Sequence, residues 1–323
     1  MPALLGSRAA LVFVALVVTG FGAWTALAQV IVPASSCPLP GSQFQGGDGN
    51  QANESAACPS MATPSEWIDW QGLQADGRVG HTSDSNAQDT YFEGGNEVGN
   101  PGGWGIRLSA DGVSPATDNI LDIYDAFDRA PGEDGYLYLA FTREAVTGTT
   151  SLSFELNQNP VPRAYSNGYP LACRETGDIL ISFIVSGSAR SVEVFRWHTT
   201  THTAPSAEHP QGCALTGTLG TANGLVANEH VQGSYNPVNI SSYLPLGEPG
   251  LVLTPGTNTI AGGRFAEAAI NLTQALSNLD DGCRAFGSIW AHSRSSTSVT
   301  SALKDYVRPE PFNFNTCKAT PTL

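Results

Sequence analysis

Residues Tyr136 to Gln158, YLYLAFTREAVTGTTSLSFELNQ, limit most tightly what this chain can fold into. Leu152, Phe154 and Leu156 alternate with Ser151, Ser153 and Glu155. That period of two puts the apolar side chains on one side of a strand, as a half-buried strand requires. Just before it, Tyr136 to Phe141 is aromatic or aliphatic throughout, which suits a central strand covered on both faces. The Val146-Thr147-Gly148-Thr149-Thr150 segment reads as a short turn, so an antiparallel pair is expected around it.

The same reading extends in both directions. Asp118 to Asp128, DNILDIYDAFD, fits a helical face through Ile120, Ile123, Tyr124 and Phe127, or one side of a strand through Leu121, Ile123, Asp125 and Phe127. The loop from Ala130 to Gly135 leads straight into Tyr136 and decides for strand, giving a three-stranded meander over 119–158. Asp178 to Val185 and Val192 to Trp197 form a second predicted hairpin around a Ser-Gly-Ser-Ala turn. Residues 199–262 read as irregular, with Leu251-Val252-Leu253 as a short strand. Phe265 to Leu279 carries a helical stripe, Ala285 to Ser293 reads as a strand, and Ser298 to Val307 reads as a short helix or turn. The expected fold is all-β, an antiparallel β-sandwich with long loops and one or two short helices.

Outside the fold lies residues 1–28. Arg8 precedes an uncharged apolar run that ends at Ala26-Leu27-Ala28, the pattern of a cleaved signal peptide. The rival is a retained membrane anchor, since no charge interrupts residues 9–32. On the first reading the mature chain has no membrane span, with a flexible arm at 29–40, one domain over 41–317 and a tail at 318–323. Removing residues 1–28 takes away Arg8 and no acidic side chain, which moves the formal net charge from −14 to −15. A surface of that sign repels nucleic acid and anionic lipid. Six cysteines, Cys37, Cys58, Cys173, Cys213, Cys283 and Cys317, follow the leader with no C-x-x-C pair, which implies disulfides in an exported protein rather than a zinc knuckle. Pairing of sequence neighbours gives 37–58, 173–213 and 283–317.

Several stretches resemble a class of secreted, largely actinobacterial surface proteins of undefined function. They include Phe44-Gln45-Gly46-Gly47-Asp48-Gly49-Asn50, Asp69-Trp70, Thr90-Tyr91-Phe92-Glu93-Gly94-Gly95 and Tyr138-Leu139-Ala140-Phe141-Thr142-Arg143. Gly177-Asp178-Ile179-Leu180, Phe195-Arg196-Trp197 and Phe265 to Leu272 continue the set. Their order also resembles DOMON domains and family 9 carbohydrate-binding modules, which are β-sandwiches. The resemblance implies a strand over Phe265 to Leu272, with Thr273 capping a short helix after it, and a noncatalytic binding role. The paired exposed aromatics usual in those sugar-binding modules have no evident counterpart here.

Catalytic motifs are missing from the sequence: no Gly-x-Ser-x-Gly elbow, no His-Glu-x-x-His, and no phosphate-binding glycine loop followed by lysine. His198, His202 and His209 lie in a threonine- and proline-rich stretch that makes a poor helix, so a solvated loop accounts for them better than a metal site. Asp118, Asp122 and Asp128 are expected on the solvated face of their strand. Arg143, directly after an apolar strand, reads as a paired structural arginine. Trp70 and Trp104, in glycine-rich segments beside Asp69 and Glu93, are the candidates for stacking on a sugar ring, with core packing as the competing reading. Asp84 and Asp89 offer hard oxygen ligands to calcium, the one cofactor considered. The expected function is a secreted, noncatalytic surface module whose partner is a polysaccharide or a cell-surface protein. A hydrolase with a carboxylate or metal-assisted site and a passive coat component are the alternatives.

Overall fold

The computed structural model describes residues 37–54, 67–84, 89–99, 104–108, 114–129, 133–163, 168–186, 189–207, 209–210, 212–221, 230–247, 259–277 and 284–316. Residues 1–28, Leu251-Val252-Leu253, Cys58, Cys283 and Cys317 lie outside them. In chain order come α1 (Trp70–Ala75), β1 (Gly80–Ser83), β2 (Thr90–Phe92), β3 (Ile106–Leu108), β4 (Ile120–Asp128) and β5 (Tyr136–Arg143). Next are β6 (Thr150–Asn157), β7 (Ile179–Ser186), β8 (Ala189–His202), β9 (Ala214–Thr221), β10 (Val231–Tyr235) and β11 (Ile240–Ser241). The chain continues through β12 (Thr259–Ile260), β13 (Phe265–Asn271), α2 (Leu272–Ser277), β14 (Ala285–Arg294) and β15 (Leu303–Asn315).

These strands make a β-sandwich of two packed antiparallel sheets, ordered β1-β4-β5-β13-β10 and β3-β2-β15-β14-β6-β7-β8-β9, with β11-β12 as a separate ribbon. Between the sheets lie Leu137, Leu139 and Phe141 of β5, Leu152, Phe154 and Leu156 of β6, and Ile179, Ile181 and Phe183 of β7. Phe183 meets both layers edge-on, 5.1 Å from Phe141 and 5.9 Å from Phe154. Each such fully buried side chain contributes roughly 1.5–3 kcal/mol relative to exposure.

The central pair departs from its sequence reading. β5 pairs with β4 and β13, whereas β6 pairs with β14 and β7. Residues 144–149 therefore carry the chain from one sheet to the other, anchored where Glu144 N donates to Asn119 O and Ala145 N to Ala116 O. The expected meander ends after β4-β5. Period-two alternation identifies which face of a strand is apolar and is silent about which strand lies beside it.

Both sheets are covered on their outer faces as well. Phe44, Trp70, Leu73, Tyr124, Tyr138 and Phe265 form a second apolar layer, in which Phe44 stacks on Tyr138 at 4.0 Å. Phe92, Trp104, Ile106, Leu171, Trp290 and Tyr306 form a third. Every residue of β5 and β6 is buried as a result, including Ser151, Ser153 and Glu155 on the side expected to be half solvated. Asp122, expected on a solvated face, is also buried. It pairs with His81 Nε2 at 2.8 Å and accepts from Thr142 Oγ1 and Gly247 N, both at 2.8 Å. Asp128 of the same strand is exposed.

Farther along, the stretch read as irregular contains the end of β8, all of β9 and β10, and the β11-β12 ribbon. Val307 belongs to the long strand β15 rather than to a helix. β13 and α2 follow the implied strand-then-helix order, but Asn271 is the capping residue, its Oδ1 accepting from Gln274 N at 3.0 Å. Thr273 Oγ1 instead accepts from Gly135 N at 2.8 Å. Arg143 is fully buried, donating through Nε to Gly263 O at 3.0 Å and lying over the Tyr235 ring.

Cys173 and Cys213 form the expected disulfide, with a sequence separation of 40. Cys37 is disulfide-bonded too. Closing a loop of that length in the unfolded chain predicts that C173S/C213S loses about 2–4 kcal/mol, measured by urea unfolding. No helix among the described residues is long and apolar enough to cross a membrane.

Candidate functional site

A surface cavity of about 270 Å³ opens beside β2, lined by Tyr91, Phe92, Glu93, Ser114, Pro115 and Lys304. β2 is placed by its neighbours: Tyr91 lies opposite Asp305 of β15 on one side and Arg107 of β3 on the other. Phe92 is held in the third apolar layer between Trp104 and Tyr306, both edge-on at 5.6 Å. That anchoring leaves Tyr91 and Glu93 at the cavity. Glu93 is 41% exposed, and its Oε1 receives Arg107 Nε at 2.6 Å. Lys304 adds an ammonium to the lining. An aromatic ring, a carboxylate, an ammonium and a serine thus converge on one accessible space.

The wall continues inward to three carboxylates. Ser114 Oγ donates to Asp305 Oδ1 at 3.0 Å, and Ile120 N donates to Asp305 Oδ2 at 2.6 Å. Asp84, Asp89 and Asp305 bring one oxygen each within 4.8 Å of one another, all buried. Asp84 and Asp89 were the sequence-predicted oxygen ligands, and Asp305 is the member that sequence reasoning missed. Burial first, then repulsion from Asp89, pushes the Asp84 carboxyl up to about 8. Burial, followed by repulsion from Asp84 and Asp89, lifts Asp305 well above the usual carboxylate range. Such a group relieves its repulsion by holding protons or by taking up a divalent cation.

A second buried cluster lies under the third apolar layer, on the Ser/Glu side of β6. Arg174 donates to Glu155 through Nε (2.8 and 3.0 Å) and Nη2 (2.5 Å), and to Glu97 through Nη2 (2.5 Å). Its plane lies over Trp197 at 4.1 Å and Trp104 at 4.7 Å. Glu97 Oε2 also meets His292 Nε2 at 2.5 Å and Arg294 Nη1 at 3.1 Å. Burial alone would raise the Glu97 carboxyl, but His292, Arg174 and Arg294 hold it well below the usual carboxylate range. Here the counter-cations are side chains, so the carboxylates are already balanced. Asp178 extends the polar layer, accepting from Asn157 Nδ2, Gln158 N and Glu175 N at 2.8–3.0 Å.

The sequence-predicted sugar-contacting residues are not brought together. Trp70 and Trp104 are buried, at 0% and 5% exposure, and neither offers a flat open face. Asp69, also buried, caps α1 by accepting from Trp70 N at 2.6 Å. Glu93 alone of the four reaches the cavity. His202 Nε2 bonds Thr199 Oγ1 and His209 Nδ1 bonds Asn159 Nδ2, so these histidines serve separate contacts. Arg174 follows Cys173 in sequence without any pattern to mark it, whereas Tyr91 sits in the Thr90 to Gly95 stretch that carries part of the surface-protein resemblance. What the fold and the cavity define is a two-sheet antiparallel β-sandwich protein with an accessible pocket on one sheet edge. No family model, curated protein or solved structure matches the chain.

Proposed function

We propose that the protein is a secreted, noncatalytic binding module that takes a saccharide of a cell wall or extracellular polymer into the Tyr91–Glu93–Lys304 cavity. The observation that carries this reading is the lining of that cavity. An aromatic ring offers a sugar its apolar face, while Glu93, Lys304 and Ser114 offer hydrogen bonds to hydroxyls. The leader-like first 28 residues and the Cys173–Cys213 disulfide support export. Catalysis would need a reactive group within reach of a polymer, and Asp84 and Asp305, whose acidity burial shifts upward, sit inside the fold.

The test is retention of the purified protein on isolated bacterial cell walls and on a glycan array. Wild type is expected to be retained and to release no sugar. Tyr91→Ala, which removes the stacking ring, is expected to weaken retention by about 0.5–1.5 kcal/mol, and Glu93→Gln to weaken it while preserving the fold. Uniform lack of retention, or retention untouched by both substitutions, would remove the support for this pocket.

A further inference from the structure

On the saccharide-binding reading of the Tyr91–Glu93–Lys304 cavity, on which this step rests, we infer that the sugar carries a carboxylate and that the Lys304 ammonium selects it. The strand fixes where Lys304 reaches the lining. Its neighbours on β15 are both buried: Leu303, whose N donates to Gly95 O at 3.0 Å, and Asp305, which lies opposite Tyr91 of β2. Lys304 itself is only partly exposed, so its charge is held at the cavity with less than full hydration.

The cations elsewhere on this molecule are largely spent. Arg78, Arg107, Arg174, Arg294 and Arg308 each hold a carboxylate. Among the described residues the Lys304 ammonium forms no ion pair and no hydrogen bond. Burial raises the Asp118 carboxyl, and a Thr150 hydrogen bond and the Lys304 charge oppose that rise, yet Asp118 and Lys304 do not pair. The cavity's own carboxylate is turned onto β3. Glu93 Oε1 receives Arg107 Nε at 2.6 Å, and Glu93 Oε2 lies 2.9 Å from where a Cβ on Gly105 would stand, so the glycine makes room for it. Arg107 thus offsets Glu93, and Lys304 is left as the uncompensated charge of the lining. Burial and then repulsion from Asp89 raise Asp84 to about 8, so at neutral pH this carboxyl behind the wall holds its proton and does not offset Lys304.

A neutral sugar would cover that ammonium without giving it an anion. A carboxylate would compensate it through charge-assisted hydrogen bonds, which are roughly twice as strong as neutral ones. Ser114 already donates its proton to Asp305 and therefore offers the ligand an acceptor, suited to a sugar hydroxyl. The formal net charge of the chain, −14, opposes a polyanion at a distance, whereas a contact inside the recess acts well within the screening length of about 8 Å at physiological salt. Together these favour a sugar unit with a single carboxylate over a polymer charged at every unit. The cavity, about 270 Å³, is at the small end of ligand pockets and suits one ring.

Short oligosaccharides carrying one uronic-acid unit, and the methyl esters of the same compounds, test this by calorimetry with the full chain. Esterification removes the charge and keeps the ring and its stereochemistry. Wild type is expected to bind at least one acid about tenfold more tightly than its ester. Lys304→Gln should abolish that preference and Lys304→Arg should keep most of it. Tyr91→Ala should weaken acid and ester together and leave their ratio in place. Equal binding of every acid and its ester by wild type would overturn selection for a carboxylate while leaving the saccharide reading intact. A preference that survives Lys304→Gln would overturn the role of Lys304. If no acid, ester or neutral glycan is bound, the saccharide reading itself falls and the selectivity falls with it.

Discussion

In the presence of a chelator, the unfolding free energy of this protein decreases as pH is raised from about 4 to about 8. One contributor is the Asp84–Asp89–Asp305 group, whose oxygens lie within 4.8 Å of one another in a buried setting, and burial raises Asp125 to about 6, Asp178 to about 7, and Asp69 and Glu267 as well. Asp84 is raised from 3.8 to about 8 in the folded protein, and Asp305 is raised as well. In the unfolded chain these carboxyls ionise near pH 4. Above that pH the native state holds more protons than the unfolded state, so each further rise in pH favours unfolding until the folded group itself ionises. The stabilisation is fully present below pH 4 and is lost as pH passes through the folded value near 8. Asp84 and Asp305 repel one another, so this loss belongs to the group and is on the order of 5 kcal/mol. Urea unfolding at each pH measures it. Asp305→Asn removes one charge while keeping groups able to meet Ile120 N and Ser114 Oγ, so it should flatten the slope and raise stability at pH 8. A free energy that climbs between pH 4 and 8, or a slope unchanged by Asp305→Asn, would show that the repulsion is absent.

How much of this was legible in the sequence depended on the kind of information each feature carries. The strands of the interior could be read because Leu152, Phe154 and Leu156 repeat with the pleat, and because Tyr136 to Phe141 has no polar position to expose. Their sheet assignment could not, since crossing between sheets and turning back within one leave the same alternation. The polar side of β6 was misread for a related reason. Ser151, Ser153 and Glu155 look solvated until Arg294, Ser182 and Arg174, in that order, arrive from other segments to bond them. Asp84 and Asp89 were noticed because they are close in sequence, whereas Asp305 joins them through β15, far down the chain. Trp70 and Trp104 stand out in the sequence as aromatics in glycine-rich segments, yet at Trp104 a glycine allows tight packing over the ring. Gly95, with φ +106°, would place a Cβ 2.3 Å from Trp104 Cδ1. Glycine beside tryptophan here marks close contact, not an open platform.

Replacing Arg174 is expected to be the most destabilising single change in the molecule. Its guanidinium is 2% exposed, binds Glu97 and Glu155 together, and lies against two tryptophan faces. Arg174→Met preserves much of the apolar stem but removes the charge, leaving two carboxylates buried, with His292 and Arg294 reaching only Glu97. Breaking a buried ion pair from one side costs about 3–5 kcal/mol, because the remaining charge stays desolvated. Attraction to the tryptophan faces adds to the loss. Denaturant midpoints at neutral pH would read the effect. The cause can be separated from lost packing by adding Glu155→Gln to Arg174→Met: the second change removes the stranded charge and should return about half of the lost stability, a non-additivity that a double-mutant cycle detects. If Arg174→Met were nearly neutral, or if Glu155→Gln deepened its effect by its full independent cost, Arg174 would not be the partner that compensates the buried carboxylates.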